Sequence, residues 1–201
     1  VSEMMVEGVV LAAGESKRTS PDCKLAFKFG EWTLLEESIA GMRPYCKRIF
    51  VVTGAHDETI NRVLNGYTYV TLVHNPAYAG GMFTSVKAGL RHTLADGVFI
   101  LPGDCPFAVP EVYEALLAAQ GRVVIPTCYG RDGHPVLLRR EAIDELLRGG
   151  KWHTLREFIA TKTAMRIAVD CPGILKDIDT LDMYLQEVRH MDTLEGRRCW
   201  R

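Results

Sequence analysis

Short apolar runs rich in β-branched residues alternate along this chain with segments of helical periodicity. That rhythm limits the folds open to it. Val6 to Ala12 (VEGVVLA), Ile49 to Thr53 (IFVVT), Tyr69 to Val73, Val98 to Leu101 and Val123 to Pro126 each have the length and composition of a buried strand. Between them, apolar residues recur at helical spacing from Leu34 to Met42, Phe83 to Leu94 and Val109 to Ala119. Strands with apolar residues on both faces need cover on both faces, and intervening helices supply it. The expected fold is α/β and Rossmann-like, a mostly parallel sheet covered by helices on both faces. After Pro126 the rhythm changes. A turn-rich stretch, Tyr129 to Gly133, leads into His134 to Leu138. Helical segments follow from Arg140 to Leu147 and Thr154 to Ala160, then a strand from Met165 to Val169 and a helix from Leu181 to Arg189. No repeat or linker interrupts this order. Residues 1–189 are therefore expected to form a single domain, and the polar residues 190–201 a frayed tail.

Composition narrows the partners. The chain has 201 residues, 47% of them hydrophobic, enough for a proper core. Its 24 Lys plus Arg against 25 Asp plus Glu leave a net charge of -1. No global field draws it to a nucleic acid or an anionic membrane, although a local cation cluster remains possible. No apolar run approaches the roughly 18 residues that span a bilayer. Val1 to Met5 lacks the basic region and apolar core of a secretory signal. Cys23, Cys46, Cys105, Cys128, Cys171 and Cys199 form no CxxC pair and, with the histidines, no zinc spacing. Scattered thiols of this kind point to a reduced, cytoplasmic protein.

In open α/β sheets, ligands bind beyond the carboxyl ends of the strands. The informative loops are thus those after Ala12, Val73 and Leu101. The first reads Ala13-Gly14-Glu15-Ser16-Lys17-Arg18-Thr19-Ser20-Pro21-Asp22-Cys23-Lys24. Small residues let the backbone approach a flat or anionic group, and Arg18 and Lys24 add charge suited to a triphosphate. It is neither GxxxxGK[ST] nor GxGxxG. Spacing alone leaves a solvated loop with incidental cations equally open.

LAAGESKR with the following Lys24 closely resembles the LAAGxSxRxGxxK signature of the MobA-like nucleotidyltransferases, which include the molybdenum cofactor cytidylyl- and guanylyltransferases. Further segments resemble that family in order. Asn75-Pro76 with Gly80-Gly81-Met82 and Ser85 to Leu90 is similar to its N-x-x-x-x-x-GMxxSxxxGL segment. Gly103-Asp104-Cys105-Pro106 is similar to its GDxP, Gly130 to Val136 to its GxxGHPV, and Asp177 to Tyr184 to its DIDTPEDY. The resemblance implies a nucleotide-diphospho-sugar transferase type of fold. It also implies transfer of a nucleoside monophosphate from an NTP to a phosphorylated acceptor, releasing pyrophosphate. Molybdopterin is the acceptor implied, and a molybdenum enzyme the recipient of the product.

A phosphate monoester acceptor is already ionised near neutral pH, so no general base is needed. The chemistry calls for cations and a divalent metal. Through the resemblance, Arg18, Lys24 and Asp104 are expected to be catalytic. Leu11, Ala12, Ala13, Gly14, Asn75, Gly80, Gly81, Ser85 and Gly103 are expected to bind the nucleotide beside Arg18 and Lys24. Asp104 and Asp179 are expected to hold Mg²⁺, with Asp177 as the rival for the second place. As residues alone, Asp104 reads equally as a turn aspartate and Asp179 as a helix cap. Ala13 in LAAG, in place of the Gly of LAGG, resembles the cytidylyl branch and favours CTP over GTP. His134 is expected at the acceptor, or as a structural histidine, and Arg156 also at the acceptor. The chain departs from the family at Thr19-Ser20, at Gly149 to Arg156 (where many relatives have GDxGAR) and at Leu181.

Overall fold

The computed structural model describes residues 4–16, 22–178 and 180–192. From β1 (Val6–Ala12) the chain makes a two-stranded ribbon, β2 (Lys28–Phe29) and β3 (Trp32–Thr33), then α1 (Leu34–Met42) and β4 (Ile49–Thr53). It continues through α2 (Asp57–Val63), β5 (Val70–His74), α3 (Met82–Leu90), β6 (Gly97–Pro102) and α4 (Pro110–Ala118). Next come β7 (Val123–Cys128), β8 (Arg131–Asp132), β9 (Val136–Arg139) and α5 (Arg140–Arg148). Last are α6 (Leu155–Ala160), β10 (Met165–Ala168) and α7 (Leu181–Asp192).

The main sheet has the order β10-β7-β9-β6-β1-β4-β5, with β8 on β7. β1 lies parallel to both β4 and β6, which brings Val10 beside Val51 and Leu101. The expected mostly parallel, helix-covered sheet is what the chain forms. Only β9, among the seven strands of that path, runs against its neighbours β6 and β7. The reason is connection length. Residues 129–135 turn through Tyr129 (φ 52°) and Gly130 (φ 71°), and a link this short cannot make the crossover that parallel strands need.

Side chains alternate across each strand. On one face Val10, Val51 and Leu101 pack beneath Leu35 and Ile39 of α1 and Tyr113 and Leu116 of α4. On the other, Val9, Val52 and Ile100 meet Val86 and Leu90 of α3, Ile143 of α5 and Phe158 of α6. α1 is pinned at its start by a capping box. The Thr33 hydroxyl accepts from Glu36 N–H at 3.3 Å, and the Glu36 carboxylate accepts from Thr33 N–H at 2.6 Å.

Several elements differ from the sequence expectation. α3 stops at Leu90, short of Leu94, because the buried carboxylate of Glu7 accepts from the N–H groups of Leu94 (2.9 Å) and Ala95 (3.1 Å) and pulls the chain off the helix. α2 has no counterpart in the sequence reading, since it buries only Ile60 and shows little periodicity. α7 runs to Asp192, three residues past the helix end expected at Arg189. The five described cysteines are buried free thiols. No helix among the described residues is long and apolar enough to cross a membrane.

Candidate functional site

A cleft of about 540 Å³ opens at the carboxyl ends of β1 and β6. This is within the range of small-molecule sites. Leu11, Ala13, Gly14, Glu15 and Ser16 form its centre, where β1 ends. Pro102 and Asp104 line one side together with Lys24 and Leu25. Tyr78, Ala79, Gly81, Met82 and Ser85 line the other, from the turn before α3 into its first turns.

Among the described residues, a methyl group added at Gly14 would meet nothing within 4 Å. Internal packing therefore does not demand a glycine there, and the space above it is open to a ligand. Gly81 has φ +99°, a conformation that favours glycine, and it turns the chain into α3.

The charged end of the cleft is tied together by hydrogen bonds. Lys24 Nζ donates to Asp104 Oδ2 at 2.6 Å and to the carbonyl of Ile178 at 2.9 Å. Both side chains of the pair are largely buried. The Ile178 N–H donates in turn to the Asp104 carbonyl at 3.1 Å, which brings Asp177 and Ile178 alongside the GDCP turn. Cys105 is packed beside them. Burial, with the nearby charges of Asp104 and Asp177, pushes its thiol well above the ordinary range. It is a protonated packing residue and not a nucleophile.

Not every sequence-assigned residue lines the cleft. Gly103 and Ala12 sit behind it. Gly103 N–H donates to Leu11 O at 2.9 Å, and Gly103 O accepts from Ser38 Oγ at 2.9 Å. Asn75 is buried, and its amide donates to Thr84 Oγ1 and Ser85 Oγ, both at 2.9 Å, while its oxygen accepts from Ala77 N–H at 3.1 Å. Asn75 thus fastens the turn after β5 to the start of α3. Gly80 ends the short 3-10 turn between them. His134 N–H donates to Ile174 O at 2.9 Å. Its Nδ1 is buried and has no hydrogen-bond partner among the described residues. Burial lowers the ring's affinity for a proton despite Asp104 and Asp177 nearby, so the ring is neutral at physiological pH. His134 is not in the cleft wall, and neither is Arg156, an exposed residue of α6. Arg18 and Asp179 lie outside the described residues.

The sequence reading missed Tyr78, Met82, Glu15 and Ser16 as cleft residues. Tyr78 could have been found, because it is the aromatic residue between Asn75 and Gly80. The loop after β4 was missed too. Gly54 packs there between Ala13 and Tyr78, and a Cβ on it would lie 2.7 Å from Ala13 O and 2.8 Å from Tyr78 Cβ and Cγ.

A cleft with an open glycine turn, a lysine and a carboxylate suits a phosphate-bearing ligand. Comparison with known proteins decides the family, since the MobA-like NTP transferase domain matches residues 8–174. The chain belongs to the MobA-like NTP transferase family. It is accordingly a nucleotidyltransferase. This MobA-like chain is 25% identical over 181 residues to the molybdenum cofactor cytidylyltransferase of Escherichia coli (strain K12), covering 90% of this chain and 94% of that one. It is 28% identical over 193 residues to the probable molybdenum cofactor guanylyltransferase of Mycobacterium avium (strain 104), covering 88% and 92%. In fold it matches the manganese complex of Rv0371C from Mycobacterium tuberculosis H37Rv with a TM-score of 0.70 at 21% identity, covering 92% and 98%.

The donor set tests whether a divalent cation fits. Among the described residues no group of three or more His, Cys, Asp and Glu is placed to hold a metal. Asp104, a cleft carboxylate with Asp177 near it, matches a Mg²⁺ ion that takes most of its oxygens from substrate and water. The donors present at Asp104 and Asp177 are of the kind such an ion takes.

Proposed function

We propose that this MobA-like enzyme transfers the nucleoside monophosphate of an NTP, CTP in preference to GTP, to a phosphorylated acceptor of the molybdopterin type. The observation that carries the reading is the Lys24–Asp104 pair, which sets a cation and a carboxylate side by side at the mouth of the LAAG turn. The acceptor's phosphate oxygen attacks the α-phosphorus, a new P–O bond forms, the α–β bridge breaks and pyrophosphate leaves. An ionised phosphate needs no base, so the chain's task is to align two anions and neutralise charge on the leaving group. Lys24 and Arg18 hold the triphosphate. Asp104, with Asp179 or Asp177, would hold Mg²⁺. When bound, the metal supplies charge stabilisation on the phosphate oxygens. Ala13, nearly buried in the cleft wall, narrows the base end toward a single ring. The relatives named for both cytidylyl and guanylyl transfer make this choice an experimental one.

The test is pyrophosphate release with CTP or GTP, Mg²⁺ and molybdopterin. The expected result is faster release with CTP, falling by roughly 100-fold or more in Asp104→Ala, a loss typical of removing a key electrostatic group. Faster release with GTP overturns the base assignment. Release only with a sugar phosphate or another small phosphate overturns the acceptor. Tight nucleotide binding without turnover on any acceptor would make the protein a binding module.

A further inference from the structure

The cleft has two chemically distinct ends, and the strand order says how they are arranged. β1 stands between β6 on one side and β4 and β5 on the other. The loop after β1 therefore forms the middle of the cleft. Asp104 follows β6, and with Lys24 it makes the charged end. The opposite wall comes from the turn after β5, where Tyr78, Ala79 and Met82 present mostly apolar surface. A ligand with a flat apolar head and an anionic tail lies across the β1 loop with its head on the β5 side.

Tyr78 is built into that wall. Its backbone is held at both ends, since its N–H donates to Asn75 O at 3.2 Å and its carbonyl accepts from Gly81 N–H at 3.0 Å. The root of its ring rests on Gly54, whose other side abuts Ala13 O. Only a residue without Cβ lets the ring sit this close to the LAAG turn. The phenol hydroxyl makes no hydrogen bond among the described residues, so the ring and not the hydroxyl is what the site holds in place. A ring fixed before the ligand arrives costs little ordering on binding.

We propose that Tyr78 is the face on which the nucleobase stacks, with Gly54 as the spacer that sets the ring flush against Ala13 and fixes the width of the base slot. The proposal rests on the nucleotidyltransferase reading above. It adds a recognition residue outside the charged machinery. A stacked base contributes enough that removing the platform weakens affinity by about 10- to 100-fold.

The experiment measures binding by titration calorimetry with Mg²⁺ for two probes, CTP and ribose 5′-triphosphate, which lacks the base. In the unaltered protein CTP is expected to bind more tightly than the base-free probe. Tyr78→Leu keeps apolar bulk but removes the π face, and is expected to lose most of that difference while holding the base-free probe unchanged. Tyr78→Phe is expected to keep the difference. Gly54→Ala, which touches no ligand, is expected to weaken CTP by displacing the ring. Equal CTP affinity in Tyr78→Leu and the unaltered protein overturns stacking while leaving the nucleotidyltransferase reading intact. Equal loss for both probes also overturns it, because the effect would then lie at the phosphates. Failure of the unaltered protein to bind either probe is a failure of the wider reading.

Discussion

Among the described residues, Lys24 donates to groups from distant parts of the chain, the Asp104 carboxylate and the Ile178 carbonyl. In this arrangement its ammonium lies against a carboxylate expected to serve a divalent cation. Replacing it with Met keeps the stem's length and removes the charge. Asp104 then loses its cationic partner in a largely buried place and keeps the weak Cys105 thiol donor, and such a loss costs about 1–3 kcal/mol. Lys24→Met is expected to lower the free energy of unfolding by that amount, read from urea denaturation. Millimolar Mg²⁺ is expected to restore more stability to the variant than it adds to the unaltered protein, because cation and ammonium neutralise the same carboxylate. A variant as stable as the parent, or one indifferent to Mg²⁺, overturns this account. The motifs name Lys24 and Asp104 one by one, and their chemistry is legible from residue type and loop position. Their direct contact is not legible, because it depends on how β1 and β6 are registered. Tyr78 shows a related case, since its aromatic type and its place between Asn75 and Gly80 mark it, but its fit against the β1 loop is legible only once Gly54 is seen beneath it.

Among the elements, α3 ties the sheet to the site. It carries Met82 and Ser85 at the cleft and packs Val86 and Leu90 on the sheet. Gly89 is the point of closest approach, where a Cβ would lie 2.5 Å from Val9 Cγ1 and 2.9 Å from Val52 Cγ2. Two effects compete in Gly89→Ala. Helix propensity favours alanine by about 1 kcal/mol. Overpacking costs about 1–3 kcal/mol, and its upper range applies here because two β-branched side chains on central strands have little freedom to turn away. Packing wins, and the variant is expected to unfold about 1–2 kcal/mol more easily and to bind nucleotide more weakly as α3 shifts. Urea unfolding followed with a CTP titration measures both, and a stabilised variant would refute the packing argument. Sequence periodicity identifies α1, α3, α4 and α5 because each buries a clear apolar stripe. It misplaces the end of α3 because that end is set by Glu7, far away in the chain. It misses α2 because one buried isoleucine makes no pattern. It leaves the direction of β9 open because direction follows from loop length, not from strand composition.

At the scale of the whole molecule, the cleft is closed by chain that returns after the sheet is complete. The last strand, β10, ends at Ala168, and the family match ends at residue 174. The chain then comes back so that buried Ile178 bonds both Asp104 and Lys24. Beyond it Tyr184 of α7 packs against Phe27 and Phe29, with ring centroids 5.5 and 6.2 Å apart, and donates to Lys28 O. Lys176 Nζ pairs with Glu187 Oε1 at 2.8 Å and anchors the helix to its own approach. This returning segment holds the residues around Lys24 in place but supplies no strand to the sheet. A chain shortened to end at Lys176 is therefore expected to keep its far-ultraviolet circular dichroism and a cooperative unfolding transition. Its response to ligand should change. At 100 times Kd a nucleotide stabilises the native state by about 2.7 kcal/mol, and for a chain of this length that raises Tm by about 5–11 °C. The full chain with CTP and Mg²⁺ is expected to show a rise of that size. The shortened chain, having lost the Ile178 carbonyl that orients Lys24 and the Asp177 carboxylate near Asp104, is expected to gain only about 2 °C or less under the same conditions. A shortened chain that gains as much as the full one would mean that the sheet and its three loops form the nucleotide site unaided.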